Sequence, residues 1–232
     1  LILITGANGF IGTNLRKKLD KENKAYICFN KDDKLSNINF KSINFVIHLA
    51  AVHRSDNEED FKKYNIDYTE DLLNNITKYN IPIIYTSSVQ SELNTAYGKS
   101  KKHCEELIKN YNKTNKYSKI FKLTNTFGKF GKPNHLSVVS TFCYNISHDK
   151  PIIISDENKI ITLTYIDDVI NSIYSQIKYN EVSELITVKP QFEISLKDLS
   201  EIIYKINNKD NINKNLLYFY LKETYEYYKD LP

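Results

Sequence analysis

Short apolar runs rich in β-branched residues alternate with longer stretches in which apolar side chains recur at helical spacing. The first pattern predicts buried strands and the second amphipathic helices. Strands are predicted at 1–5, 25–29, 45–49, 81–86 and 120–124, and helices at 10–19, 58–79 and 96–112. Such alternation predicts an α/β fold with a doubly wound parallel sheet. Past Gly128 the pattern changes. A breaker-rich loop at 128–134 leads into an apolar helix at 136–146, short strands at 152–155 and 160–163, and a helix from Asp167. A capped amphipathic helix at 195–206 and a Tyr-rich helix at 216–228 complete the chain.

The first strand and helix are joined by Gly6, Gly9 and Gly12, half of the six glycines in 232 residues. After them Ile11, Leu15 and Leu19 share one helix face. Strand, glycine turn and helix N-terminus together attract a pyrophosphate, because free N–H groups and the helix dipole converge there. A Rossmann-type dinucleotide site is the expectation. Net charge is +4 with lysines dispersed, which argues against nucleic acid as a partner and is compatible with small anions. No apolar run approaches the ~20 residues of a membrane span. Three scattered cysteines, Cys28, Cys104 and Cys143, lack metal spacing and fit a reducing cytoplasmic location. His53, His103, His135 and His148 show no metal spacing either, and His48 reads as a core strand residue. With no methionine and a core strand at Leu1, the chain is expected to lack a signal peptide and to be a piece of a longer protein.

Tyr97 and Lys101 have the spacing that places two side chains on one helix face, where an ammonium can lower a phenol's pKa toward the range of a general acid. Spacing alone carries no weight, since it recurs at Tyr174/Lys178, Tyr218/Lys222 and Tyr225/Lys229. Position sets Tyr97 apart: it follows a strand ending in Thr86-Ser87-Ser88, while another strand ends in Leu49-Ala50-Ala51. Ligands of open α/β sheets bind at carboxyl ends of strands. Arg54, one of two arginines, follows the latter strand and is read either as a phosphate contact or as a surface ion pair. Asn30 and Lys31 follow the second strand, where an acid would mark NAD; Lys31 favours NADP(H), with NAD(H) still compatible because Asp32 and Asp33 come next.

Gly6/Gly9/Gly12, His48-Leu49-Ala50-Ala51, Asn65, Ser88, Tyr97/Lys101, Asn125 and Tyr165-Ile166-Asp167-Asp168-Val169 together resemble the extended short-chain dehydrogenase/reductase family across the whole chain. Thr86-Ser87-Ser88-Val89-Gln90, the segment 127–134 and Ser140-Thr141-Phe142-Cys143-Tyr144 resemble its branch of capsular-polysaccharide reductases. That resemblance implies NADPH-dependent reduction of a UDP-linked 4-keto-6-deoxy-N-acetylhexosamine on the way to UDP-N-acetyl-L-fucosamine. It also implies a homodimer formed through the helix at 58–79 and the helix after Tyr97, and a following zinc-binding cupin domain absent here, whose epimerase activity is not carried over.

By the same resemblance, the chain is a single unit with a dinucleotide-binding core at 1–126 plus 160–188 and a small capping region for substrate at 127–159 and 189–232. Tyr97 would protonate the C4 oxygen, Lys101 hold the nicotinamide ribose, and Ser88 (or Ser87, one register step away) bond the same oxygen. Gly6, Asn8, Gly9, Phe10, Ile11 and Gly12 would take the pyrophosphate, Asn30 and Lys31 the adenosine ribose, and Leu49, Ala50, Ala51, Asn65 and Thr86 the rest of the cofactor. Asn65 is read equally as an ordering group near Lys101 or a structural amide. Arg54, Ser88, Asn125, Lys132, Asn134 and Thr141 would line the UDP-sugar side. Val89 and Gln90 stand where related dehydratases have an acidic pair, and Thr162-Leu163-Thr164 where many relatives have an arginine. A 4,6-dehydratase is therefore disfavoured. A 4-epimerase holding NAD tightly and a non-catalytic NADP-binding sensor are the alternatives.

Overall fold

Apolar four-residue segments, too short for helices and buried from end to end, make the first and third strands of a parallel sheet. The structure, a computed structural model, describes residues 1–31, 33–114, 117–177, 185–211 and 213–232; Asp32 and Lys178 thus lie outside the described residues. Chain order runs β1 (Ile2–Thr5), α1 (Phe10–Lys21), β2 (Tyr26–Phe29), β3 (Phe45–His48), α2 (Glu59–Phe61), a π-helical segment (Lys62–Asp67), α3 (Tyr68–Thr77), β4 (Ile83–Ser88), α4 (Ala96–Thr114) and β5 (Ser118–Leu123). Then come β6 (Asn125–Phe127), α5 (Val138–Ser147), β7 (Ile160–Tyr165), α6 (Ile166–Gln176), β8 (Leu185–Ile186), β9 (Phe192–Ser195), α7 (Leu196–Asn208) and α8 (Leu216–Lys229).

The chain divides into two units. One comprises Leu1–Leu123 and Ser172–Thr187, the other Thr124–Asn171 and Val188–Pro232. The first unit holds the six-stranded sheet, ordered β2-β1-β3-β4-β5-β8 with every pair parallel. Strand order reverses between β1 and β3. Because parallel crossovers are right-handed, the reversal sends the connecting helices to opposite faces and opens a crevice at the carboxyl ends of those two strands. Thr5 and His48 are register partners there. The expected Rossmann-type parallel sheet is thus the observed fold.

Two expectations differ from the structure. The helix expected at 58–79 is interrupted by the π-helical turn, whose wider hydrogen-bond spacing re-aims side chains part-way along the helix. Residues 152–155 form no strand: Ile152 and Ile154 are partly buried, but Ile153 between them is 90% exposed and no strand pairs with the run. The antiparallel partner of β7 is β9, a strict apolar/polar alternation only four residues long that runs straight into α7 and so does not stand out in the sequence.

The second unit has its own sheet, ordered β6-β7-β9, and the packed helices α5, α7 and α8. Helices α7 and α8 start at Ser195 and Asn215, whose side chains accept the backbone N–H of Asp198 and Tyr218. The Tyr228 hydroxyl, buried, donates to the Gly131 carbonyl at 2.7 Å and meets Ser140 Oγ at 2.9 Å, tying α8 to α5 and to the 128–134 loop.

The glycine turn is tightly built. Gly6 has φ +67°, and a Cβ there would lie 2.8 Å from the Ala50 nitrogen. A Cβ at Gly12 would lie 2.4 Å from the Gly6 carbonyl oxygen, whereas one at Gly9 meets the same atom at 3.2 Å. Gly12→Ala is therefore expected to destabilise by about 1–3 kcal/mol, as overpacking does. In thermal unfolding that is on the order of 2–4 °C per kcal/mol, with Gly9→Ala closer to wild type. A Gly12→Ala protein melting with the wild type would mean that the turn can open.

Candidate active site

The N-terminus of α1 is built to receive an anion. Gly9 occupies its N-cap position without a side-chain cap, and no acidic residue stands in its first turn, whereas Lys18 and Lys21 complement its far end. The leading N–H groups of such a helix are unpaired within it and carry the positive end of the dipole. Around the turn, Gly6 N–H donates to the Phe29 carbonyl at 2.8 Å and Asn8 N–H to Asn30 Oδ1 at 3.1 Å. The turn is thus pinned to the end of β2 and, by the Gly6–Ala50 approach, to the end of β3. A dinucleotide's pyrophosphate fits this cradle, which a side chain at Gly6 or Gly12 would fill.

A second cluster lies where β4 meets α4. Thr95 caps α4 by accepting Gly98 N–H at 3.0 Å, so Tyr97 and Lys101 project from its first turns. The Ser88 hydroxyl lies near enough to the Tyr97 side chain to lower its pKa, and it accepts Gln90 N–H at 3.2 Å. Ser87 instead donates to Glu105 Oε1 at 2.5 Å and is buried. Of the two serines, Ser88 is the one at the phenol. Lys101 is 2% exposed; its ammonium donates to the Thr86 carbonyl at 2.7 Å and lies 4.3 Å from the centre of the Tyr85 ring. Burial holds its pKa down at about 8, against opposing pushes from Cys104 and Glu105. Burial also drives Tyr97 up to about 12, with the nearby Ser88 hydroxyl pushing the other way. Desolvation of the phenol outweighs the lowering expected from Lys101, whose charge is turned to Thr86 and Tyr85. His53 and Phe61 flank the Tyr97 ring, with centroids 5.3 and 6.3 Å away.

One hydrogen-bond relay joins the two clusters. His48 Nδ1 lies 2.7 Å from Thr5 Oγ1 and Nε2 lies 2.9 Å from Thr69 Oγ1. Thr69 gives its proton to the Asn65 carbonyl at 2.6 Å, so it accepts from Nε2–H, and Thr5 donates to Nδ1. Burial holds the imidazole down at about 3, leaving it neutral. The Asn65 amide in turn exchanges bonds with the backbone of Val52, at 2.7 and 3.1 Å, and donates to Ser100 Oγ at 2.9 Å, which donates to the Tyr97 carbonyl. Asn65 sits in the π-helical segment, a distortion frequent at functional sites. His48 accordingly is a core residue, as expected, yet one that organises the site. The partners Thr5 and Thr69 were not legible as such in the sequence. Glu105 was signalled by its place four residues after Lys101.

Of the remaining expected positions, Leu49, Ala50 and Ala51 follow β3 with Ala50 against Gly6, and Thr86 also reaches the His48 carbonyl at 3.3 Å. Arg54 is exposed and pairs with no carboxylate among the described residues. Lys31 stands 4.9 Å from the Tyr64 ring centre, and Asp33 Oδ2 accepts Asn30 N–H at 2.7 Å, so a carboxyl group is held at the end of β2. In the second unit, Asn134 N–H meets Thr141 Oγ1 at 3.0 Å, which brings those two residues together. Asn125 is spent on the Thr162 carbonyl at 3.1 Å, and Lys132 is exposed. Among the described residues no group of three or more His, Cys, Asp or Glu could hold a metal ion, and no helix is long and apolar enough to cross a membrane.

Comparison with known proteins agrees with this geometry. Residues 2–184 match the family model described as the NAD dependent epimerase/dehydratase family. The chain is 36% identical over 215 residues to the UDP-2-acetamido-2,6-beta-L-arabino-hexul-4-ose reductase of Pseudomonas aeruginosa, covering 89% of this chain and 58% of that protein. The capsular polysaccharide assembling protein CapF from Staphylococcus aureus superposes with a TM-score of 0.86 at 30% identity, covering 98% of this chain and 65% of CapF. This chain therefore spans less than two thirds of either relative. The UDP-glucuronic acid 4-epimerase of Bacillus cereus, solved with NAD, shares the fold at a TM-score of 0.83 and 21% identity over 98% of both chains. With a parallel Rossmann-type sheet, a glycine cradle and a Ser88/Tyr97/Lys101 cluster, the chain belongs to the NAD dependent epimerase/dehydratase family.

Proposed function

We propose that this chain is an NADPH-dependent reductase of a UDP-linked 4-keto-6-deoxy-N-acetylhexosamine, serving synthesis of a capsule or surface polysaccharide precursor. The observation that carries the reading is the placement of Ser88 near the Tyr97 phenol, one helical turn before a buried Lys101, in a chain 36% identical to a UDP-sugar 4-ulose reductase. Gly6, Asn8, Gly9, Phe10, Ile11 and Gly12 would hold the cofactor's pyrophosphate, and Asn65, Lys101 and the strand-end residues Leu49, Ala50, Ala51 and Thr86 its nicotinamide half. When bound, the nicotinamide supplies the hydride. Tyr97 gives its proton to the sugar's C4 oxygen, Ser88 donates a hydrogen bond to the same oxygen, and Lys101 offsets the phenolate left behind. Arg54, Asn125, Lys132, Asn134 and Thr141 are proposed for the UDP-sugar side, and a homodimer through the 59–77 region and α4 for the assembly. Val89 and Gln90 carry no acid for dehydration.

Tyr97→Phe keeps the ring and removes the proton. It should cut NADPH-dependent reduction of a 4-keto UDP-sugar by about 10²–10⁴-fold with cofactor affinity retained. Tyr174→Phe, whose hydroxyl donates to Glu22 Oε2 at 3.3 Å, is the control and should turn over like the wild type. Full turnover by Tyr97→Phe would end this assignment. Cofactor that resists removal on gel filtration would favour the epimerase instead, because a reductase must exchange its cofactor.

The NADPH preference rests on Lys31 acting as a point charge for a 2′-phosphate. The Asp33 carboxyl at the end of β2 favours NADH as the second reading, since a carboxylate there repels a phosphate and bonds ribose hydroxyls. Titrating both cofactors separates the two. Lys31→Ala should weaken NADPH and spare NADH, and Asp33→Asn should strengthen NADPH. An NADPH/NADH ratio unmoved by Lys31→Ala would remove Lys31 from the site.

A further inference from the structure

Three consecutive residues of β4 are matched to three residues of α4 spaced one helical turn apart. Ser88 lies beside Tyr97, the Thr86 carbonyl takes the Lys101 ammonium at 2.7 Å, and Ser87 donates to Glu105 at 2.5 Å. Tyr97, Lys101 and Glu105 follow each other at i, i+4 and i+8 along one face of α4. The third rung has no part in the chemistry proposed above. Glu105 is nevertheless 2% exposed, and a carboxyl group is costly to bury without partners.

We propose that Glu105 is a positioning residue: it fixes Ser87, and with it the β4 segment that offers the Thr86 carbonyl to Lys101 and the Ser88 hydroxyl to Tyr97, and it places a negative charge one turn from the Lys101 ammonium. The proposal rests on the reductase reading for its consequences in turnover. The ionisable groups facing Lys101 are His48 from β3, Tyr85 from β4, and Cys104 and Glu105 from α4. His48 is neutral, Tyr85 and Cys104 are pushed up by burial and stay protonated at neutral pH, and the Glu105 carboxyl group acts on Lys101 in the raising direction. Around Glu105 itself stand Lys101, Tyr85 and, one turn further along α4, Lys109.

The sign follows. Burial already lowers Lys101 to about 8, and losing the Glu105 charge lowers it further, so the cation is lost at lower pH. Wild-type kcat/KM, which reports the free enzyme, should fall on the alkaline side with a midpoint near 8. Glu105→Gln should move that midpoint down by about one pH unit, and move the pH dependence of NADPH affinity, read by fluorescence titration, in parallel. Ser87→Ala keeps the charge and removes the clamp. It should lower kcat about tenfold or more through misplacement, with the midpoint unmoved. A folded Glu105→Gln protein with the wild-type midpoint overturns the proposal, and so does Ser87→Ala with wild-type kcat. If Glu105→Gln does not fold, Ser87→Ala decides. The cofactor titration needs no turnover. A wild type inactive on 4-keto sugars, with the Glu105→Gln shift still seen in NADPH binding, would reject the reductase reading and support the positioning role.

Discussion

His48 lies at 1% exposure between two threonine hydroxyls, Thr5 on β1 and Thr69 on α3. Its neutrality is a condition of the arrangement. A protonated ring has two donors and no acceptor, so Nδ1 could no longer take the Thr5 proton. Thr5 in turn accepts Ala50 N–H at 3.2 Å, which sets the start of the β3–α2 connection against the glycine turn. Thr69 fixes the Asn65 carbonyl, and Asn65 fixes Val52 and Ser100. A single buried imidazole therefore coordinates the anion cradle, the strand ends and the first turn of α4. Leaving one buried donor or acceptor of this set unpaired would cost about 1–3 kcal/mol, more than any one of its bonds contributes net.

The sheet and the cradle were legible because their causes are local. Short β-branched runs, a glycine turn and an amphipathic helix are written in adjacent residues, and Gly6, Gly9 and Gly12 fall where that reading puts them. The relay was not legible, since Thr5, His48 and Thr69 become partners only through strand register and the turn of α3. The π-helical segment at Lys62–Asp67 has no periodicity that separates it from an α-helix at its length. Ser87 and Ser88 were interchangeable in sequence because both end β4 against α4, and only the packing of strand on helix decides that Ser87 meets Glu105 while Ser88 lies by Tyr97. The isoleucine run at 152–154 misled because strand formation depends on a partner strand that the local sequence does not encode.

The two units divide the expected residues. All of the cofactor positions and the Ser88/Tyr97/Lys101 set belong to the unit made of Leu1–Leu123 and Ser172–Thr187. Asn125, Lys132, Asn134 and Thr141 belong to the other. The second unit is internally well braced, with Tyr228 holding the 128–134 loop and Tyr165 stacked on Tyr220 at 4.0 Å between ring centres. Its segments are also those in which sequence patterning was weakest: short strands, a breaker-rich loop and Tyr-rich helices. Residues that select a substrate can vary in such segments while the parallel sheet, with its stricter packing, stays fixed.

Tyr97 and Lys101 show why a familiar spacing does not by itself set a pKa. Placing an ammonium near a phenol stabilises the phenolate, but burying both groups penalises each charged form. Here burial wins at both positions, leaving the phenol near 12 and the lysine near 8. In that state Tyr97 holds its proton too firmly to be an efficient acid at neutral pH, and it keeps that proton in reserve. What matters is the difference between this state and the one with a carbonyl oxygen at Ser88 and Tyr97. Under the proposed reduction, negative charge developing on that oxygen would draw the proton from Tyr97 and leave a phenolate. A cationic Lys101 in the same low-dielectric setting would then stabilise that phenolate more strongly than it would in water. The burial that raises the phenol's pKa in the free protein is thus the same burial that makes Lys101 effective once the proton has gone, provided the lysine stays charged.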